Sequence, residues 1–236
     1  LLMVPSTYEA GKLYNVLPSG NRAPDNKGGA GYDQTRADFD FDRGSNAAAT
    51  RINSSGLIEK YRENVLLQSN QFDTTWAVAF INTTSGQSGY DGTSDAWELE
   101  VTSAGSGRRI QQTISQSGVL TYSVYAKAGT TDFFRLQISA TASHYAYFDL
   151  GTGSVGTTSS LIDSEITSIG GGWYRCSISA NAVSATTCII YVVDANGSIA
   201  VGLGANIIAQ DSQLESGLCS TEYLNSTSVT AKAGVL

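Results

Sequence analysis

From Asn64 onward apolar and polar side chains alternate with a period of two, the period of a half-buried strand rather than of a helix. In Ala96 to Val101, Trp97, Leu99 and Val101 share one face while Glu98 and Glu100 take the other. In Asp132 to Ser139, Phe134, Leu136 and Ile138 form an inward row, which turns Phe133, Arg135 and Gln137 outward. Gly172 to Ala180 repeats the pattern, with Tyr174, Cys176 and Ile178 in and Trp173, Arg175 and Ser177 out. Further runs fall at Leu120 to Ala128, Tyr145 to Leu150, Thr187 to Val193 and Asn206 to Leu214. Between the runs lie Asp91-Gly92, Ala128-Gly129, Gly151 to Gly153 and Asn196-Gly197, all suited to positive φ. Short strands recurring at this spacing predict an all-β fold, an antiparallel β-sandwich.

The opening stretch reads differently. Gly, Asn, Asp and Pro punctuate it, Pro18 to Gly31 reads as a long loop, and short strands are expected only at Lys12 to Leu17 and Asp38 to Asp42. Such a segment cannot repay the entropy of its own ordering, so it is expected to lie along a neighbouring surface. The expected organisation is an extended segment over residues 1–62, a sandwich over 63–224 and a tail over 225–236.

Composition narrows the function. Of the 236 residues 41% are hydrophobic and 15% charged, with 25 Gly and 12 Tyr, the profile of an all-β protein. The net charge of −7, with no cluster of Lys and Arg, argues against a nucleic-acid partner. No apolar run approaches the roughly 18 residues of a bilayer span, so no membrane insertion is expected. Leu1 to Val4 is cut short by Pro5, too brief for a signal-peptide core. The three cysteines form no Cys-x-x-Cys pair; Cys176 and Cys188 read as core residues, and free thiols suit folding in a reducing cytoplasm.

Catalytic patterns are missing from the sequence. His144 is the only histidine, and there is neither a Gly-x-Ser-x-Gly elbow nor a phosphate-binding Gly-x-x-x-x-Gly-Lys loop. Polysaccharide hydrolysis needs two carboxyl groups across the scissile bond; Asp91, Asp95, Glu98 and Glu100 are the candidates, but aspartate in an Asp-Gly-Thr turn caps backbone N–H groups. The chain is therefore expected not to be an enzyme. Asp91 and Asp95 are also weak candidate ligands for a structural Ca2+; no other cofactor is expected. Sugar rings stack on aromatics while Arg, Gln and Asn bond their hydroxyls, and the outward Tyr125, Arg135, Gln137, Tyr145, Tyr147, Trp173 and Arg175 have that composition. Buried protein interfaces have it too.

Several blocks carry a family resemblance. Arg51-Ile52-Asn53, Gly56 to Glu59, Asn64 to Ser69 with Phe72 and Trp76, and Thr121 to Gly129 resemble segments of tailed-bacteriophage structural proteins. So do Phe148 to Gly153, Gly172 to Cys176 and Ala209 to Glu215 with Gly217. The later blocks are similar to the jelly-roll, carbohydrate-binding-like module of tail fibres, spikes and capsid fibres, over Asn64 to Leu224. Val4-Pro5-Ser6 and Ala10 to Tyr14 resemble the lead segment before such modules. Family examples often continue into further repeats or a receptor-binding or enzymatic region, so this chain is expected to be a short fibre or decoration protein, or part of a longer one.

The resemblance implies a non-catalytic virion component, a fibre, spike or capsid decoration, assembled in the host bacterial cytoplasm. It implies a homo-oligomer, a homotrimer first, whose N-terminal segment meets other virion proteins. Two alternatives stand beside it: a glycan-binding adhesin for a host cell-surface polysaccharide, and an accessory domain of a depolymerase. Trp173 and Arg175 lie within the resembling blocks, which favours their being covered, by the N-terminal segment or a neighbouring subunit.

Overall fold

The computed structural model describes residues 62–233 and, before them, four short strands. The chain divides into two units, residues 1–60 and 61–236. In the first, β1 (Lys12–Leu13) pairs antiparallel with β2 (Phe39–Asp40), and β3 (Thr50–Ile52) with β4 (Ile58–Lys60). The strands expected near Lys12 and Asp38 are thus partners. The expected loop and docking role of this segment lie outside the described residues.

The second unit holds β5 (Arg62–Asn64), β6 (Ala77–Ala79), β7 (Ile81–Gln87), β8 (Ala96–Val101) and β9 (Gly105–Ser106). It continues with β10 (Arg109–Ala128), β11 (Phe133–Ser139), β12 (Ser143–Asp149), β13 (Ser154–Ser159) and β14 (Asp163–Gly170). The last strands are β15 (Trp173–Val193), β16 (Ala200–Val201), β17 (Asn206–Ser216) and β18 (Ala231–Ala233). All pairings are antiparallel among the described residues.

Two long strands organise the sandwich. β10 and β15 pair from Arg109↔Tyr191 to Lys127↔Trp173, with register shifts between Thr113 and Gly118. There the strands bend, helped by Gly118 at φ 105° and Ser184 at φ 54°. Alternation predicts two separate strands at Gly172 to Ala180 and Thr187 to Val193, because the small polar residues between them carry no pattern; the backbone runs through as one bent strand. Each long strand therefore serves two layers. The start of β10 and the end of β15 form a first sheet with β6, β11, β12 and β13. The end of β10 and the start of β15 form a second with β14, β17, β8 and β7. The inward rows of both layers meet in one apolar core, which makes the fold an antiparallel jelly-roll sandwich.

The predicted faces hold. Trp97, Phe134 and Cys176 are buried, and Phe134 stacks on Phe148 with centroids 5.3 Å apart. Tyr174 packs against the core half-buried, while Glu98 and Glu100 are half-buried on the outer side. Residues 225–233, expected as a tail, belong to this unit: Ser226 is buried and bonded to Leu66 and Ser69, and β18 pairs with β5.

Burial pushes the Cys176 and Cys188 thiols well above their usual range, whereas Cys219 is exposed. A thiol titration of the folded protein should find one reactive group, and all three only on unfolding. Phe134→Ala should cost about 3–5 kcal/mol in denaturant unfolding, the range for deleting a fully buried ring. A loss below about 1 kcal/mol would show the site to be less tightly packed.

Candidate functional site: the two outer faces of the sandwich

The outward residues of the second sheet are mostly small and polar, yet buried. Thr121, Ser123, Ser177, Ser179, Gln213 and Glu215 are all 8% exposed or less. A buried polar face has to be hydrogen-bonded. Residues 217–224 lie across it and supply the partners. Thr121 Oγ1 donates to the Gly217 carbonyl at 2.9 Å, and Ser179 Oγ to that of Leu218 at 2.9 Å. The Glu215 carboxylate accepts from the Thr221 N–H at 2.8 Å, the Thr221 hydroxyl at 2.7 Å and Gln213 Nε2 at 2.8 Å. Asn64 anchors the same segment, its Nδ2 donating to the Ser212 and Leu224 carbonyls and its Oδ1 accepting from the Leu66 and Leu214 N–H groups.

This cover decides the fate of three expected glycan contacts. Arg175 donates to the Thr221 carbonyl and lies 5.3 Å from the Tyr125 ring. Tyr125 is stacked by Tyr90 at 3.8 Å and 10°. Trp173 is 3% exposed, its ring edge-on to Tyr90 at 6.1 Å. Among the described residues the groups against Tyr125, Trp173 and Arg175 are the chain's own Tyr90 loop and the C-terminal residues at Thr221; the expected cover by the N-terminal segment lies outside the described residues.

Tyr90 arrives on a loop clasped by carboxylates. Its hydroxyl donates to Asp211 Oδ2 at 2.9 Å. The Thr93 N–H donates to Asp91 Oδ1 at 3.1 Å and its hydroxyl sits between Asp91 and Asp95, while Gln210 Nε2 donates to Asp95 at 2.7 Å and Asp91 at 3.3 Å. A cleft of about 350 Å3 opens beside them, lined by Asn70, Tyr125, Glu222 and Tyr223 among others. Asp91 and Asp95, the weak candidates for Ca2+, are bridged by the Thr93 hydroxyl and the Gln210 amide. Among the described residues no group of three or more acidic, His or Cys side chains converges on a cation position. Hydrogen bonding, chiefly from Thr93, holds Asp91 below its usual pKa. Asp211, at φ 56° in the bulge of β17, is pushed up to about 6 by burial.

The first sheet presents a different outer face. Register places Arg109, Tyr191, Arg135 and Tyr147 in one row across four strands, and Gln111, Ile189, Gln137 and Tyr145 in the next. The Arg135 guanidinium lies 3.8 Å from the centroid of Tyr145, 5.0 Å from Tyr191 and 5.4 Å from Tyr147. It donates to the Tyr147 hydroxyl at 3.3 Å and to Gln137 Oε1, whose own Nε2 donates to Ser139 at 2.7 Å. Arg109 Nε donates to Gln111 Oε1 at 2.7 Å and its guanidinium lies 5.8 Å from Tyr191. Arg135, Tyr145 and Tyr191 are half-exposed, while Tyr147 and Gln137 are nearly buried within the row.

Of the expected residues, Arg135, Gln137, Tyr145 and Tyr147 come together here, and Tyr125, Trp173 and Arg175 belong to the other sheet. Tyr191, Arg109 and Gln111 were missed. The inward row Cys188, Ile190 and Val192 already implies that Tyr191 points out. Arg109 follows Gly105-Ser106-Gly107, which reads as a turn and hides the start of β10. His144 is buried, with Nδ1 2.6 Å from the Ser160 carbonyl, a structural edge contact.

No protein-family model matches the chain, and no curated protein matches it. Several solved structures are matched at low identity. A carbohydrate-binding module, TmCBM61, in complex with β-1,4-galactotriose, is 12% identical; the match covers 64% of this chain and 97% of that one, with a TM-score of 0.40. The xylan-binding CBM22-1 domain of Paenibacillus barcinonensis Xyn10C is 11% identical over 67% and 94%, with a TM-score of 0.37. The enzymatically active domain of tailspike protein 4 of bacteriophage CBA120 is 14% identical over 66% of this chain but 21% of that one, with a TM-score of 0.38. Likeness at this level carries no assignment of ligand or activity.

The raised Asp211 carboxyl has a consequence for stability. Its charged form is disfavoured in the folded state, so its contribution is greatest below the ordinary value of 3.8 and is lost as pH rises through about 6. Asp211→Asn keeps an acceptor for Tyr90 and a side chain suited to positive φ, and removes the titration. The thermal midpoint of the variant minus that of the parent should climb between about pH 4 and pH 7 and then level off. A difference flat across that window would show that Asp211 ionises as easily folded as unfolded.

Proposed function

We propose that the protein is a non-catalytic component of a tailed-phage particle whose β-sandwich binds a host-surface glycan through the outer face of the first sheet. The observation that carries the glycan part is the row of Arg135 among Tyr145, Tyr147 and Tyr191, with Gln137 and Gln111 alongside. The half-exposed rings of Tyr145 and Tyr191 offer apolar faces to the C–H faces of sugars, and Gln111 with the guanidinium groups of Arg135 and Arg109 offers donors to their hydroxyls, Tyr147 and Gln137 supporting them from within the row. Each side chain is held by its neighbours before any ligand arrives, which lowers the entropy lost on binding.

The phage part rests on the sequence blocks from Arg51 to Gly217 that resemble virion proteins. In this reading residues 1–62 dock the chain to other virion proteins, the chains associate as a homotrimer, and the module faces outward. Non-catalytic action is supported by the composition of the face. Among the strands of the first sheet the one carboxylate is Asp149, whose Oδ1 accepts the N–H groups of Gly151 and Thr152. Glycosidase chemistry takes a pair.

A sealed interface between subunits is the rival use of the same face. A polysaccharide array, read beside the mass of the particle in solution, separates the two. Tyr145→Ala should weaken glycan binding roughly tenfold or more with the oligomer unchanged. Loss of the oligomer in that variant, with no glycan bound by the parent, would make the face an assembly contact and reject the proposal.

A further inference from the structure

The strands of the first sheet carry Arg109 and Arg135 outward, and neither guanidinium has an ion-pair partner among the described residues. Their neighbours are π faces and neutral amides: Tyr145, Tyr147 and Tyr191, and Gln111 and Gln137. This is unexpected in a chain with a net charge of −7. The one strand carboxylate of this sheet, Asp149, is taken up by the N–H groups of Gly151 and Thr152, and the other acids on strands of the two layers gather on the second sheet. Glu98, Glu100, Asp163, Glu165, Asp211 and Glu215 are all on strands of the second sheet. Carboxylates thus predominate on the strands of the second sheet, which also carries Lys127 and Arg175, while the outward aromatic row of the first holds two arginines.

Resting on the glycan-binding reading above, we infer that the ligand is an acidic polysaccharide, one whose sugar carboxylates meet Arg135 and Arg109. Aromatic faces do not neutralise a guanidinium; they hold it flat and leave its in-plane donors for an oxyanion. Arg135 spends donors on Tyr147 and Gln137, and Arg109 on Gln111 and the Gly107 carbonyl at 3.0 Å. Each guanidinium carries five N–H donors and so keeps others. The two arginines flank Tyr191 on neighbouring strands, which sets them two strand spacings apart, about 10 Å. A chain laid across the strands thus meets an arginine, a tyrosine face and a second arginine in turn. A neutral glycan would use the rings and leave both charges unmatched, whereas an acidic one pairs them.

Matched pairs of polymers test this on the full chain: polygalacturonate, alginate and hyaluronan, each against its carboxyl-reduced form. Binding is expected to an acidic member and not to its reduced partner, and to weaken as salt is raised from low to physiological strength. Arg135→Gln should weaken it roughly tenfold to a hundredfold, the range for losing a charge-assisted hydrogen bond, with Arg109→Gln showing the same direction. Arg109→Gln also guards against a folding artefact, since Arg109 is only half-buried; thermal midpoints confirm that both variants fold. Equal binding to the acidic and reduced forms, or a salt-independent affinity, would overturn the acidic assignment and leave glycan binding standing. No binding to any member of either series would overturn both.

Discussion

A sheet face that is polar and yet out of water imposes the main constraint on this molecule. Thr121, Ser123, Ser179, Gln213 and Glu215 point away from the apolar core but are almost fully buried. Each unpaired group there would cost on the order of 1–3 kcal/mol. The solution is a strap of backbone: residues 217–224 present carbonyls and N–H groups to those side chains, and the buried Asn64 binds both the strap and β17. Because the strap occupies the second sheet, the residues on that face are committed to structure. The first sheet is left as the layer that carries an outward aromatic row.

The same constraint explains what could be read from the sequence. Layered alternation was legible because one side of every strand is apolar: the rows Trp97, Leu99, Val101 and Phe134, Leu136, Ile138 are inward as expected. The continuity of β10 and β15 was not. At Ser115 to Gly118 and Asn181 to Thr186 the chain bends from one layer to the other, and at a bend alternation has no single reference face. The role of residues 217–226 was equally hidden, since a strap that works through backbone groups has no side-chain pattern to read.

For the site, alternation gave direction without partnership. It says that Tyr125, Trp173 and Arg175 point out, as do Arg135, Tyr145 and Tyr147, but not that the two sets stand on opposite sheets. That division follows from which end of β15 each strand pairs with: Arg175 at the start of β15 faces Tyr125, while Tyr191 at its end faces Arg109 and Arg135. The sequence separation of Tyr125 and Arg135 is small, and a sharp turn at Ala128-Gly129 lies between them. Their final separation by a whole layer is a property of topology.

The two ends of the described module lie together. β5 and β18 pair, so the backbone enters at Arg62 and leaves at Ala233 side by side. Val65 donates to the Leu214 carbonyl and Asn64 to that of Ser212, which fastens this junction to β17 of the second sheet. The bonds of Asn64 and Val65 therefore add to the layer that is already covered. The row of Arg109, Tyr191 and Arg135 lies on the other layer, whose own links to the segment after β5 are the Gln112 bonds to the Leu67 backbone and the pairing of Arg109 to Gln111 with β6.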